Sequence, residues 1–557
     1  MFAAKAAPTI RGLDYRRDAP PSSVVSDAIG RLIYGYIRGN GAFGADVRIE
    51  EETSLCRGAN MSNTNGLKKY KMYIGGEWVE AAGGEYFESY DPYTAEPWCL
   101  IPRGNAEDAE RAVQAAHQAF TAGAWPAMNP SQRGRIMRRL GDLIAENAEA
   151  LARIEVQDNG KLISEMAMQL AYLPQWYYYY GGLADKIEGA VIPVDKPALN
   201  FTRHEPLGVC AAISAWNSPL MLASWKLAPA LAAGNTIVLK PSEYTCASAL
   251  EFARLVSEAG FPPGVVNVLT GFGPECGQPL VEHPLVRKVA FTGSDKTGEH
   301  IYATAARGLK RVSLELGGKS PNIVFGDCNM DDAVKGVVSG IFAASGQTCI
   351  AGSRLLVQEN VHNEFVDKLV AFAKTAKLGN PMETDTQVGP VTNLPQYDKV
   401  LGYIDVAKGE GAETVLGGGK AQGAECGQGW FVQPTIFTGV NNKMRIAQEE
   451  VFGPVLSVIP FRDDDEAIEV GNDVVFGLAA GVWTQDIRRA LVMSERLQAG
   501  TVWVNTYRAV SYMSPFGGYK RSGLGRENGQ EAIREYMQTK SVWISTATEV
   551  PNPFVMR

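Results

Sequence analysis

Between residues 207 and 294 short apolar strands alternate with helical segments, and this alternation restricts the fold more than any other feature of the chain. Val209 to Ser214 reads as a strand, Met221 to Ala232 as a helix, and Thr236-Ile237-Val238-Leu239-Lys240 as a β-branched strand stopped by Pro241. Ala247 to Ala259 is a helix closed by Gly260 and Pro262-Pro263. Val265 to Leu269 and Val286 to Phe291 are further strands, which enter Gly271-Phe272-Gly273-Pro274 and Thr292-Gly293-Ser294. Strands written as continuous apolar runs are covered on both faces, and intervening helices imply parallel pairing, so the fold class is α/β. Ligands in such sheets sit at the carboxyl ends of the strands. Gly271, Gly273 and Gly277 permit close backbone approach there, and Gly293-Ser294 opens a helix whose free amides suit a phosphate. The Gly271–Gly277 run is one residue longer than the usual G-x-G-x-x-G dinucleotide fingerprint, so these glycines alone weigh no more than ordinary turns.

The rest of the chain adds layers around that sheet. At 557 residues two or more domains are expected. Apolar periodicity gives helices over Ala106 to Ala124 and Arg133 to Gln157, and the aromatic cluster from Tyr172 to Tyr180 reads first as helix packing. After Pro321 a second unit follows, with a helix over Val334 to Ala344, a strand over Arg354 to Gln358 and a helix over His362 to Ala376. A net charge of -8 leaves no basic excess for nucleic acid. The five histidines are scattered singly and no His/Cys pair has zinc spacing, so no metal is expected. Eight dispersed cysteines suit a reducing compartment, here taken as the cytoplasm, and no apolar run is clean enough to span a membrane. Residues 1–60 mix eight basic and seven acidic side chains without apolar period; disorder is expected there, with Met61 a candidate natural start.

Two stretches carry the chemistry. Ser345-Gly346-Gln347-Thr348-Cys349 offers a thiol in a small, glycine-containing turn, and Leu314-Glu315-Leu316-Gly317-Gly318-Lys319 offers a lone carboxylate in an apolar run. A nucleophile and a general base are the functional reading. Singly, each is equally an inert buried cysteine and a core glutamate.

Together with Ile213-Ser214-Ala215-Trp216-Asn217-Ser218-Pro219, Lys240-Pro241-Ser242-Glu243, Phe291-Thr292-Gly293-Ser294, Glu450-Val451-Phe452-Gly453-Pro454 and Pro515-Phe516-Gly517-Gly518-Tyr519-Lys520, these stretches resemble the aldehyde dehydrogenase superfamily, in the family's order, from about residue 70 onward. The resemblance implies a Rossmann-type cofactor domain (61–187 and 207–317), an α/β catalytic domain (318–521) and a small β oligomerisation element (188–206 and 535–557) supporting a homodimer or homotetramer. It also implies NAD-dependent oxidation of a small-molecule aldehyde to the acid. Cys349 would form the thiohemiacetal, Asn217 and the Cys349 N–H would hold the oxyanion, and Glu315 would activate the water that hydrolyses the thioester.

The same resemblance assigns cofactor contacts to Ile213, Trp216, Lys240, Ser242, Glu243, Gly273, Gly277, Phe291, Thr292, Gly293, Ser294, Leu316, Gly317, Gln396, Lys399, Glu450 and Phe452. Glu243 favours a free ribose 2′-OH, hence NAD over NADP. Substrate contacts fall on Ser218, Leu222, Trp225, Arg508, Val510 and Phe516. Ser218 and Val510 stand where relatives often carry aromatics, so a wider tunnel is expected, with Arg508 gripping a polar substrate end or forming an ion pair. The rival readings are a CoA-acylating relative, which typically lacks the glutamate matched by Glu315, and a catalytically silent protein on the same fold.

Overall fold

The computed structural model describes residues 66–550 and 552–555. The disorder expected of residues 1–60 and the candidate start at Met61 lie outside the described residues.

The alternating segment forms the middle of an eight-stranded sheet. Its spatial order is Gly523–Leu524, Arg311–Glu315, Val286–Thr292, Val209–Ile213, Thr236–Lys240, Val266–Val268, Met72–Ile74, Glu77–Val79. The five strands from Arg311–Glu315 to Val266–Val268 run parallel, and the flanking ones antiparallel. Every residue of Val209–Ile213 and Thr236–Lys240 is buried, as continuous apolar strands require. From Val209–Ile213 the chain moves two strands to one side before crossing to Val286–Thr292 on the other. That reversal leaves a crevice at the carboxyl ends, where Ile213 is in register with both Lys240 and Phe291, and Thr292 with Glu315.

The helix Pro219–Ala233 crosses beneath this crevice. Pro219 sits in its first turn, Gly234 caps its end at φ 95°, and every residue except Met221 is buried. Lys226 is the lone charged residue in this apolar helix. A second sheet of seven strands, Glu413–Leu416, Thr435–Thr438, Val455–Phe461, Arg354–Gln358, Pro321–Val324, Ala479–Trp483 and Thr501–Val504, carries the second unit. It is parallel except at Glu413–Leu416.

Several boundaries differ from the sequence reading. The helix expected over Arg133 to Gln157 is two helices, Pro130–Glu146 and Ala148–Asn159. Asn147 separates them because its side-chain amide donates to the Leu143 carbonyl at 2.7 Å and competes with helix continuation. The first helix stops at Thr121, and the helix before Cys349 ends at Ile341. Within the aromatic cluster the packing reading holds for Trp176, Tyr177 and Tyr180, which are fully buried. Their polar tips reach Asn528, Ser224 and the Gly529 carbonyl.

Near the end of the chain Met537–Ser545 pairs antiparallel with Ala198–Pro206 over nine residues, and Val191–Ile192 completes a three-stranded sheet. None of the described helices is long and apolar enough to cross a membrane.

Candidate active site

The sheet's carboxyl ends open into a cleft of about 750 Å³, lined by Ile213, Trp216, Lys240, Ser242, Glu243, Gly273, Gly277 and the run Phe291 to Ser294. A smaller cavity of about 120 Å³ shares Trp216, Thr292, Gly293 and Ser294 with it, and reaches Asn217, Leu222, Leu316, Gly317, Cys349, Gln396, Lys399, Glu450 and Phe452. Residues from five strand ends and from the segment after Pro321 thus converge on one recess.

The larger cleft has the features of a dinucleotide site. Gly293 must lack a side chain, since a Cβ there would stand 2.4 Å from the Phe291 ring, while Gly273 faces open space. Ser294 caps the thirteen-residue helix Asp295–Arg307 by accepting the Thr297 N–H, and the amides at that end face the cleft. Lys240 is buried, donates to the Pro241 carbonyl and lies 3.7 Å from Glu243. At the inner end Glu450 accepts the Gly318 N–H at 2.9 Å, and a Cβ at Gly317 would stand 2.6 Å from its carboxylate. Burial raises the Glu450 pKa, with Lys399 and Lys319 opposing. Gln396 bonds the Val451 and Phe452 carbonyls, and Phe452, at φ 58°, meets Trp216 edge-on at 5.1 Å. Gln396 therefore shapes the wall through backbone.

Cys349 follows a single turn, Ala343–Gly346, in which Ala344, Ser345 and Gly346 all hold left-handed φ of 52°, 52° and 69°. Two consecutive non-glycine residues in that region are strained, and the surroundings enforce it. Ser345 Oγ donates to the Gly389 carbonyl, the Ala344 N–H donates to Glu165, and Gln347 bonds the Thr392 N–H and the Pro390 carbonyl. Gly346 is required because a Cβ would stand 2.1 Å from the Gly453 oxygen. The half-buried thiol is pushed up to about 12, first by burial and then by the carboxylates of Glu315 and Glu450. Asn217 Nδ2 donates to the Gln347 carbonyl at 3.0 Å, which uses one of its two N–H groups and leaves the other without a partner among the described residues.

Glu315 ends its strand buried, with neither carboxyl oxygen hydrogen-bonded among the described residues. Burial and the nearby Glu527 charge raise its pKa well above the carboxylate range, against Lys226 and Arg526. It does not line the Cys349 cavity; its Oε1 lies toward Gly517 instead. Direct action on the thiol requires the side chain to turn. The sequence reading missed its neighbours. Lys226 Nζ is fully buried and donates to Thr292 Oγ1 at 2.6 Å and to Glu527. A single lysine in an apolar helix was the available signal for Lys226, whereas nothing local marks Glu527.

The expected substrate residues are only partly brought together. Of these, Leu222 lines the cavity. Trp225 stacks on Trp176 at 6.1 Å and meets Phe516 at 5.0 Å, and Cys349, Tyr507, Val510 and Tyr512 pack against the same cluster. Ser218, read as opening the tunnel, has its hydroxyl bound by the buried Lys161 ammonium at 2.8 Å. Arg508, read as a substrate grip or an ion pair, lies 3.9 Å from Glu165 and donates to the Ser339 carbonyl, so the ion pair is the arrangement found. Glu165 holds it because the carboxylate is already fixed by the Ala344 N–H.

The aldehyde dehydrogenase family model matches residues 78–542. This chain belongs to the aldehyde dehydrogenase family. Oxidation of an aldehyde is its reaction. It is 46% identical over 495 residues to the (Z)-2-((N-methylformamido)methylene)-5-hydroxybutyrolactone dehydrogenase of Acinetobacter baylyi, covering 88% of this chain and 100% of that protein. It is 45% identical over 481 residues to human retinal dehydrogenase 2, covering 86% and 92%. Among solved structures, an NAD+ complex of an aldehyde dehydrogenase from Bacillus cereus superposes with a TM-score of 0.84 at 46% identity, covering 86% and 96%. The names of these relatives span unlike substrates, so family membership leaves the aldehyde open.

Proposed function

We propose that this chain oxidises aldehydes to carboxylic acids with NAD, using Cys349 as nucleophile, Asn217 and the Cys349 N–H as oxyanion donors and Glu315 as base. One observation carries the assignment: Cys349 and Asn217 face a cavity that also includes Thr292–Ser294, Glu450 and Phe452, continuous with the large cleft. The cofactor fits the residues present. Gly273 and Gly293 make room at the Asp295–Arg307 helix end for a pyrophosphate, Lys240 and Glu243 stand where the adenosine ribose would lie, and Glu450 and Lys399 border the nicotinamide end. The Glu243 carboxylate suits ribose hydroxyls and repels a 2′-phosphate, which favours NAD over NADP. When bound, NAD supplies the acceptor for the hydride that leaves the aldehyde carbon.

The chain's residues perform the other steps. With its side chain turned from Gly517 toward the cavity, ionised Glu315 takes the Cys349 proton, and Sγ adds to the carbonyl carbon. The resulting oxyanion is met by the second Asn217 N–H and the Cys349 N–H. After oxidation leaves a thioester, Glu315 takes a proton from water as its oxygen adds to the acyl carbon, and Cys349 departs as thiolate. The presence of Glu315 supports hydrolysis over transfer to CoA. Trp216, Leu222 and Phe452, which line the cavity with Cys349, favour aldehydes with an apolar body.

Self-association belongs to the same reading. Met537–Ser545 has one edge without a partner among the described residues, and Val191, Ile192, Leu199, Trp543 and Ile544 are exposed on that small sheet. An unpaired edge beside apolar side chains supports pairing with a second copy. The seven described cysteines are all free, which supports a reducing compartment such as the cytoplasm.

The deciding experiment follows NADH absorbance with NAD and a series of aldehydes, for wild type and Cys349→Ala. Turnover by wild type and none by the variant is expected; near-normal turnover by Cys349→Ala would sink the mechanism.

A further inference from the structure

A second cavity, of about 550 Å³, lies against the cofactor cleft and shares two wall residues with it, Glu243 and Tyr244. Nothing in aldehyde oxidation uses it. Five aromatic rings line it: Phe87, Tyr90, Tyr244, Phe272 and Trp430. Phe87 and Phe272 are 4.9 Å apart and tilted by 48°, and Tyr90 and Trp430 are 6.4 Å apart and tilted by 45°. The rings come from both sides of the recess: Phe87 and Tyr90 from the strand Tyr86–Asp91, Tyr244 and Phe272 from loops at the ends of the large sheet, and Trp430 from the second unit. The size is that of a small organic ligand rather than of a few waters.

Charge selects the ligand class. The cavity carries two carboxylates, Glu88 and Glu243, and none of the described residues lining it is a lysine, arginine or histidine. The Glu88 carboxylate is held in place by the Tyr90 hydroxyl, which donates to it at 2.6 Å. Glu243 is fixed near Lys240, which is buried. Aromatic faces are electron-rich and attract cations positioned over them, and carboxylates at the rim add to that field. One ring already demonstrates this: the Arg103 guanidinium lies 5.3 Å from the Phe272 centroid. A neutral apolar ligand would satisfy the rings but leave the Glu88 carboxylate without a cation, and an anion would be repelled by it.

We propose that this cavity binds an organic cation with an apolar or aromatic body, an aryl or alkyl ammonium, at a site separate from Cys349. Because Glu243 and Tyr244 also wall the cofactor cleft, a cation there draws on the carboxylate proposed to receive the adenosine ribose. Occupancy therefore weakens NAD binding, and by linkage NAD weakens cation binding by the same factor.

The test uses benzyltrimethylammonium and its uncharged isostere neopentylbenzene, titrated into the full-length protein by calorimetry without NAD or aldehyde. The expected result is saturable binding of the cation, at least tenfold weaker binding of the isostere, and at least tenfold loss of cation affinity in Trp430→Ala and in Glu88→Gln. Both variants should keep the wild-type urea unfolding midpoint, which shows that they fold. Equal binding of cation and isostere, binding unchanged in both variants, or no saturable binding overturns the proposal. So does complete exclusion of the cation by saturating NAD, which would place it inside the cofactor cleft. These readouts need no turnover, so they stand or fall apart from the mechanism proposed above.

Discussion

The side-chain amide of Asn217 donates to the backbone carbonyl of Gln347 at 3.0 Å, two residues before Cys349. The bond ties the loop after Val209–Ile213 to the strained turn that carries Cys349, so one amide both aims itself and steadies the thiol's approach. Asn217→Ala removes a donor that strengthens only as the oxyanion forms. The expected loss is about 10² to 10³ in kcat, with the NAD dissociation constant within a factor of about two. Steady-state kinetics with an NAD titration by fluorescence reads both, and a defect confined to NAD affinity would remove Asn217 from catalysis.

Glu315 carries its proton well above the usual carboxylate range, because burial and Glu527 disfavour its charge. A base is active only when ionised, so turnover limited by thioester hydrolysis should climb with pH through the raised pKa. Glu315→Gln should show a rapid burst of NADH at about one equivalent per site, then a slow steady state without that pH rise. A variant with an unchanged pH profile and no burst would assign Glu315 to structure alone.

The buried pair Lys226–Glu527 is more costly to halve than to remove. Lys226→Met leaves the Glu527 carboxylate buried beside Glu315 without its cation, and about 3 to 5 kcal/mol of stability should be lost. Lys226→Met with Glu527→Gln should recover most of it. Urea denaturation of wild type, both single variants and the double variant measures the difference, and additive losses would show that the two side chains are uncoupled.

Arg508 is only partly exposed, and its guanidinium lies 3.9 Å from Glu165. Such pairs contribute about 0 to 1 kcal/mol. Arg508→Ala should therefore lower kcat/KM by the same small factor on two aldehydes of equal length, one ending in a carboxylate and one neutral. A selective loss on the charged aldehyde of about tenfold or more would restore Arg508 to substrate recognition.

Edge pairing by Met537–Ser545 is tested at side chains away from the catalytic recess. Trp543→Glu with Ile544→Lys places charge on exposed apolar positions of that strand. Sedimentation should show a smaller assembly than wild type at equal concentration, whereas an unchanged mass would move the interface elsewhere.

Local signals set the secondary structure and the identity of the chemistry. The strands Thr236–Lys240 and Arg354–Gln358 were legible to the residue, because β-branched apolar runs that end at proline, glycine or charge have few alternatives. Cys349, Asn217, Gly293 and Gly317, singled out in separate motifs of the sequence, line one cavity in the fold. The split at Asn147 was not, since a side-chain bond to Leu143 wins over periodicity only once the neighbouring helices are in place.

Only the tertiary fold decided what faces what. It brought Glu527, some three hundred positions away, onto Lys226, turned Arg508 onto Glu165, bound Ser218 to Lys161, and placed Trp430 of the second unit opposite Tyr90. Such pairings depend on which segments the fold packs together and on burial, which raises the pKa of both Glu315 and Cys349. Sequence spacing records which groups are available; the low-dielectric surroundings that decide whether they carry charge exist only after the chain has closed over them.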